Sequence, residues 1–301
     1  MSGAPLLVLR VDATPATGLG HAARCAAIAE AWVWRGGRVR VVGAVRAVAR
    51  WFVAAGASVA PYVALMSGPP READDPCDDV DDLRGGVVLA DGYHLPEDRL
   101  DGPCPYHRLR DDDLRGAAAP LRSVVRTVRG GARRPGDGGS GQIVVAGGGV
   151  DATGLVPSVL AQILSSDARV ALAEVVAVVG PFAYYRYGHL PTVVAPSAAE
   201  WAGMLVSRGM LCVTAAGTTL WELAYLGVPA VAVVTCENQR ENARAAAAAG
   251  CAVVCDVEEV QGVVEALVAD RARRRRMSDA GRALMGEGDG AERVVDRWWP
   301  A

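Results

Sequence analysis

The 301-residue chain reads as an α/β protein of two doubly wound domains that face a cleft, and three observations lead there. Short apolar runs alternate with helical stretches along the chain, which implies right-handed crossovers and parallel sheets. A Gly/Arg/Pro-rich segment at 130–141 separates two such alternating sets. Each set carries a glycine turn directly after a strand, Thr17-Gly-Leu-Gly20 in the first and Ala216-Gly-Thr-Thr219 in the second. Open sheets of this kind bind ligands outside the carboxyl ends of their strands, so two facing domains put the site in the cleft. The expected organisation is an N-terminal domain at 1–129, a linker at 130–141 and a C-terminal domain at 142–301. Each is close to the roughly 150 residues expected of one domain.

The first set opens with Leu6-Leu-Val-Leu-Arg-Val11, an apolar run suited to a strand buried on both faces. A helix at 21–35 follows and ends at Gly36-Gly37, where glycine supplies the left-handed residue of a C-cap. Strands are expected at 38–42, 58–63 and 86–90, with a helix at 45–55 and an acidic surface loop at 72–82. The strand at 86–90 runs into Asp91-Gly-Tyr-His94. In the second set, a strand at 142–146 leads into Gly147-Gly-Gly-Val-Asp151 and a helix. Further strands are expected at 175–179, 192–195, 210–214 and 230–234, with helices between. A last amphipathic helix at 291–299 carries Val294, Val295, Trp298 and Trp299, and is expected to pack back across the domain junction.

Composition narrows the function. A hydrophobic content of 51% supplies two cores, and a net charge of −3 leaves no electrostatic footprint for nucleic acid. No apolar run approaches the ~20 residues that span a bilayer, and no secretory leader precedes the first strand. The seven cysteines include no Cys-x-x-Cys pair, which fits reduced thiols. Cys251 and Cys255 flank a Val-rich strand and read as core, not as metal ligands. The acidic loop matches no calcium-loop spacing and reads as a solvated turn. The expectation is a soluble cytoplasmic protein, monomer or weak dimer, without metal or cofactor. All 31 basic residues are arginine, so a single arginine carries little weight as a motif.

The chemistry concentrates in two stretches. Thr214-Ala-Ala-Gly-Thr-Thr-Leu-Trp-Glu222 reads as strand, glycine turn and helix, continuing through Gly227-Val-Pro229 to Asn238 and Gln239. A glycine turn at a helix N-terminus presents unpaired N–H groups and a positive dipole end to an anion. Glu222, a few residues in, can accept from a ribose diol. There is no Gly-x-x-x-x-Gly-Lys-Ser/Thr loop and no lysine at all, so the diphosphate belongs to a sugar donor and not to ATP. The other stretch is Arg10-Val-Asp-Ala-Thr-Pro-Ala-Thr-Gly-Leu-Gly-His-Ala-Ala-Arg-Cys25. Gly18 and Gly20 let the backbone approach a ligand, and His21 opens a helix whose positive end favours the neutral imidazole of a general base. A capping role for His21 is the alternative, which the neighbouring Arg10, Asp12 and Arg24 disfavour. His94 is a second candidate beside the cleft. Tyr184-Tyr-Arg-Tyr187 either stacks on a ligand or packs at the domain edge, and the arginines at 273–276 read as a solvated face.

The stretch from Arg10 to Cys25, with Asp91-Gly-Tyr93, Gly147-Gly-Gly-Val-Asp151, Gly217-Thr-Thr-Leu-Trp-Glu222, Gly227-Val-Pro229, Asn238-Gln239 and Asp289-Gly-Ala-Glu-Arg293, resembles the UDP-2,4-diacetamido-2,4,6-trideoxy-β-L-altropyranose hydrolases of pseudaminic acid biosynthesis. The resemblance spans almost the whole chain. It implies two Rossmann-like domains in the B-type glycosyltransferase arrangement, with UDP held mainly by the C-terminal one. Gly148, Gly149, Gly217, Thr218 and Thr219 would hold the pyrophosphate, Glu222 the ribose, and Asn238 and Gln239 the sugar. Arg10, Gly18, Gly20, Arg24, Asp91, Tyr93 and Asp151 would complete the substrate site. His21 would deprotonate water at the anomeric carbon, with Asp12 orienting the water or the histidine. Two departures leave the sugar, and hydrolysis itself, open. The acids of Arg110-Asp-Asp-Asp113 are kept, but 123–128 lacks the asparagines of the family's strand end, and the linker replaces its Leu-Leu-Arg segment. The expected activity is hydrolysis of a UDP-sugar. The alternative is transfer of the sugar to a small acceptor, and the third reading is a binding protein without catalysis, against which Asp12, His21 and Glu222 argue.

Overall fold

The computed structural model describes residues 4–59, 86–92, 105–129, 141–165, 174–183 and 191–300. Five strands, β1 (Leu6–Val11), β2 (Arg38–Val42), β3 (Ser58–Val59), β4 (Gly86–Asp91) and β5 (Tyr106–Arg108), form one parallel sheet in the order β3-β2-β1-β4-β5. Six more, β6 (Gln142–Ala146), β7 (Glu174–Val179), β8 (Thr192–Val194), β9 (Gly209–Ala215), β10 (Ala230–Val233) and β11 (Ala252–Val254), form a second parallel sheet in the order β11-β10-β9-β6-β7-β8.

Each order reverses once. The chain builds outward from β1 through β2 to β3 and returns to the other side of β1 with β4. It likewise builds from β6 through β7 to β8 and returns with β9. Loops leaving the carboxyl ends at such a switch point diverge to opposite faces and open a crevice. The crevices fall at Val11 beside Asp91 in the first sheet and at Ala146 beside Thr214 in the second. All the glycine turns singled out in the sequence sit at these two places.

In the first half, α1 (Gly20–Trp34) and α2 (Ala49–Ala54) cover the sheet, and α3 (Ser123–Arg129) follows β5. The second half carries α4 (Leu155–Leu164), α5 (Ala198–Arg208), α6 (Thr219–Leu226), α7 (Arg240–Ala248), α8 (Val260–Ala269), α9 (Arg271–Met285) and α10 (Gly290–Trp298). The expected helix at 45–55 is a 3-10 turn, Arg46–Val48, continued by the short α2. Of the strand expected at 58–63, only Ser58–Val59 lies within the described residues, and the acidic loop at 72–82, His94 and Tyr184 to Tyr187 lie outside them. The segment aligned with a strand end by the resemblance, 123–128, is helical. Val124, Val125 and Val128 share one face at helical spacing and pack onto the core of the second half with Trp201, Leu205, Leu220 and Leu223.

The last helix makes the opposite crossing. Val294 and Val295 of α10 join the core of the first half with Ile28, Trp32 and Phe52. Trp299 tilts against Trp32 with ring centroids 4.8 Å apart, Trp298 stacks on His107 at 3.7 Å, and Arg35 pairs with Asp296. Each half therefore carries one helix of the other's sequence, and burial of apolar surface ties the two together. Among the described residues no helix is long and apolar enough to cross a membrane.

Val295→Ala removes buried methyl groups from that contact and should cost about 1–3 kcal/mol in urea unfolding. An unchanged midpoint would mean that α10 contributes nothing to the core.

Candidate functional site

The first switch point is built around a carboxylate. Asp91 ends β4 with 0% of its surface exposed, and α1 presents three side chains to it. Arg24 grips it side-on, Nε donating to Oδ2 and Nη2 to Oδ1, both at 2.6 Å. His21 Nδ1 lies 2.7 Å from Oδ1, and the Cys25 thiol reaches Oδ2 at 3.6 Å. Burial alone would push the Asp91 carboxyl up. The Arg24 charge, its hydrogen bonds and His21 outweigh that and hold the carboxyl well below the usual carboxylate range. Burial pulls the Arg24 guanidinium down, but the charges of Asp91 and of Asp111, whose Oδ1 accepts from Nη1 at 2.6 Å, raise it further still. The Cys25 thiol is pushed up by burial and by Asp91, which makes it inert.

Asp12, expected to orient the water or the histidine, is buried just after β1. Its Oδ1 accepts from Arg10 Nη1 at 2.9 Å and from the Ala44 N–H at 2.7 Å, so Asp12 and Arg10 brace the β1 end against the turn after β2. The carboxylate that orients His21 is Asp91, which lies beside Val11 in register. His21 does not cap α1 either: Leu19 holds the N-cap position and no side chain bonds there. His21 is 7% exposed, at the mouth of a loop that Thr14 and Thr17 close on each other. Tyr93 lies outside the described residues.

At the second switch point the glycine motifs divide. Gly148 adopts a left-handed φ of +81°, and neither it nor Gly217 has a neighbour within 4 Å of where a Cβ would stand, so both backbones are open to a ligand. Gly149 is closed by Leu19 of the first half, which would collide with any side chain there. Gly20 faces Thr218 in the same way, its Cβ position 3.2 Å from Thr218 Oγ1. The two glycine turns thus meet across the junction, with Gly18 opposite Val150. Thr218 and Thr219 open α6, where the Leu220 and Trp221 N–H groups donate back to the Gly217 and Thr218 carbonyls at 3.1 and 3.0 Å.

Three further candidates have partners within the protein. Asp151 is a structural cap: Oδ1 accepts from Leu155 N–H at 2.8 Å and Oδ2 from Val156 N–H at 3.2 Å, fixing the start of α4. Burial pushes its carboxyl up against those bonds. Gln239 holds its own loop, Oε1 accepting from Thr235 N–H at 2.9 Å and from the Thr235 hydroxyl at 3.1 Å, while Asn238 beside it is exposed. Glu222 is half-buried and pairs its Oε2 with the Trp201 indole N–H at 2.8 Å. Burial pushes its carboxyl up, opposed by Trp201 and by the Arg122 charge.

Glu222, Thr218, Arg24 and Arg122 together line a narrow cleft between the halves. Arg122 and Trp201 carried no sequence signal, the first being one arginine of many and the second a lone aromatic on a helix. Asp111 had one, as the first acid of the Arg110-Asp-Asp-Asp113 run. Thr214, fully buried before the glycine turn, leaves its hydroxyl without a hydrogen-bond partner among the described residues. No group of three or more His, Cys, Asp or Glu side chains among the described residues is placed to hold a metal ion.

A carboxyl held low in the folded state contributes stability that is present above its unfolded value, near pH 4, and is lost as pH falls toward the folded one. Asp91→Asn should cost about 3–5 kcal/mol at pH 7, because it leaves Arg24 buried without its main anion. In urea unfolding, the gap between the native protein and this variant should narrow from about pH 5 downward. A gap independent of pH would show that the Asp91 charge is not what stabilises.

Residues 194–294 match the sequence model of the glycosyltransferase family 28 C-terminal domain. Comparison with curated protein sequences gives no match. Among solved structures the chain is similar to the glycotransferase of kitacinnamycin, with a TM-score of 0.62 and 16% identity over 100% of both chains. It is similar to SnogD from Streptomyces nogalater, with a TM-score of 0.61 and 17% identity over 98% of this chain and 99% of that one. The spinosyn rhamnosyltransferase SpnG in complex with thymidine diphosphate also gives 0.61, at 17% identity over 97% and 99%. Identities this low speak for the fold, which is two parallel-sheet α/β domains in the B-type glycosyltransferase arrangement.

Proposed function

We propose that the protein transfers a sugar from a nucleoside-diphosphate donor to an acceptor hydroxyl or amine, with His21 as general base. The observation that carries this reading is the contact of His21 Nδ1 with the buried Asp91, across the junction from the open glycine turns. On this reading residues 1–129 present the acceptor and 142–301 hold the donor, joined through the segment at 130–141. Gly148, Gly217 and the start of α6 take the diphosphate, whose charge the helix end and N–H groups offset. Glu222, with Oε2 on Trp201, turns its other oxygen to the ribose. His21 Nε2 removes the acceptor proton as the acceptor atom bonds to the anomeric carbon. The bond from that carbon to the β-phosphate oxygen breaks, and the nucleoside diphosphate leaves with the electron pair.

Supporting the donor class, the family 28 match spans the α6 turn, Glu222, Asn238 and Gln239. The SpnG complex makes thymidine diphosphate a donor nucleotide to test beside UDP. Hydrolysis, with water in place of the acceptor, is the second reading, favoured by the likeness of Gly-Leu-Gly-His-Ala-Ala-Arg-Cys to the hydrolases.

The test is release of free nucleotide from a panel of UDP- and dTDP-sugars, with and without a mixture of hydroxyl and amine acceptors. Release only with an acceptor supports transfer. Release in buffer alone makes the protein a hydrolase. Tight binding with no release under either condition would leave only a binding protein. In the active pairing, His21→Asn should abolish turnover while nucleotide affinity stays within a few-fold. Glu222→Ala should weaken nucleotide binding by about 1.5–3 kcal/mol, read by calorimetry.

A further inference from the structure

A base must keep its lone pair on the nitrogen that faces the substrate, and in His21 the choice is contested. Two groups approach Nδ1: Asp91 Oδ1 at 2.7 Å and Arg24 Nη2 at 2.8 Å. A carboxylate only accepts and a guanidinium only donates, so the two demand opposite tautomers. If Nδ1 accepts from Arg24, the ring proton sits on Nε2 and the outward nitrogen has no lone pair. Nδ1 and Oδ1 would then be two acceptors 2.7 Å apart with no hydrogen between them. If Nδ1 carries the proton, it donates to Oδ1; Nη2 then faces a second donor at Nδ1, but its own hydrogen bond runs to Oδ1 at 2.6 Å, and both carboxylate oxygens are matched. Oδ1 accepts from His21 and Arg24 Nη2, and Oδ2 from Arg24 Nε and Cys25.

We propose that Arg24 is the positioning residue that selects the base-competent tautomer of His21. It does so by locking Asp91 in place as the acceptor of the Nδ1 proton, and Asp111 holds Arg24 to the task. Three guanidinium nitrogens are engaged, Nε and Nη2 on Asp91 and Nη1 on Asp111. The planar fork can be satisfied on both acids in one orientation only. Asp111 belongs to the 3-10 turn Asp111–Leu114, in the segment that leads from β5 to α3. Leu114, Ala119, Pro120, Leu121 and Arg122 of that segment wall the cleft opposite Thr218 and Glu222. The tautomer of the base is thus tied to a segment that walls the cleft between the two halves.

The consequence for turnover rests on the base role proposed for His21, but the tautomer itself does not. The experiment therefore reads the ring in the resting protein, by nitrogen chemical shifts of ring-15N histidine. The chain has four histidines, and the His21 signals are identified by their loss in His21→Asn. The native protein should show a protonated Nδ1 and an unprotonated Nε2. Arg24→Gln should move most of the population to the Nε2–H form preferred by free imidazole, with the dispersed backbone spectrum of a folded protein retained. Asp111→Asn, at the half-buried outer end of the chain of contacts, should move it part way. It carries the test if Arg24→Gln does not fold. Arg24→Lys keeps the charge but not the fork, and should also fail to hold the Nδ1–H form.

A native Nε2–H ring overturns the proposal. So does a Nδ1–H ring unchanged in the folded variants, since Asp91 would then suffice alone. Once a donor is known, kcat in Arg24→Gln should fall at least about tenfold with little change in donor KM, because the competent tautomer becomes the minority. A purely structural arginine would lower the melting temperature and leave the tautomer alone. If the native protein shows the Nδ1–H ring but turns over no nucleotide sugar, the tautomer assignment stands and the base role falls.

Discussion

A carboxylate with no contact to water is tolerated only where donors match its oxygens, and the N-terminal half is arranged around the match that Asp91 receives. Arg24 and His21 are three residues apart on α1, so they lie on one helix face and reach the same carboxylate together. That fixes the rotation of α1 over the sheet. With α1 so phased, the loop from β1 must close tightly before the helix, and it does so at Gly18, whose φ is +73°. With this phasing Leu19, which packs against the core of its own half, also meets Gly149 of the other.

The contact between the halves follows from two missing side chains. Gly149 makes room for Leu19, and Gly20 lets the start of α1 come up against Thr218 at the start of α6. Two helix N-termini are thereby brought to one crevice, which suits a ligand carrying negative charge near its reacting centre. What holds the halves in this relation is mainly apolar. Val125 on α3 is buried in the second core, and Val294 and Val295 on α10 are buried in the first. The ion pairs that accompany these crossings, Arg126 with Glu292 and Arg35 with Asp296, are partly exposed and add little.

Much of this was legible along the chain, because it rests on local signals. Strand and helix alternate with periods that a window of a few residues contains, and a glycine turn after a strand announces itself. The amphipathic pattern of α10 even announced a return across the junction. The roles of the acids were not legible. Asp12 follows β1 and Asp91 ends β4 at one switch point, and only the register that sets Val11 beside Asp91 shows which of them meets α1. Asp151 entered the expected site only through the resemblance. In space, the two N–H groups that begin α4 claim both its oxygens. Glu222 was read from its distance to the glycine turn, but its indole partner, Trp201, comes from a different helix.

By itself, then, the sequence determined the fold class, the number of sheets, the two glycine switch loops and His21 as the residue at the mouth of the first. These follow from hydrophobic period, turn chemistry and helix ends, whose range is a few residues. Only the tertiary structure decided which carboxylate orients the histidine, which arginine secures that carboxylate, and which glycines remain open once the halves are packed. Those outcomes depend on hydrogen bonds between residues some 70 to 90 positions apart, as in His21 with Asp91 and Arg24 with Asp111. Such bonds form only where packing has already placed both partners out of water, and no local pattern records which buried donor will find which acceptor.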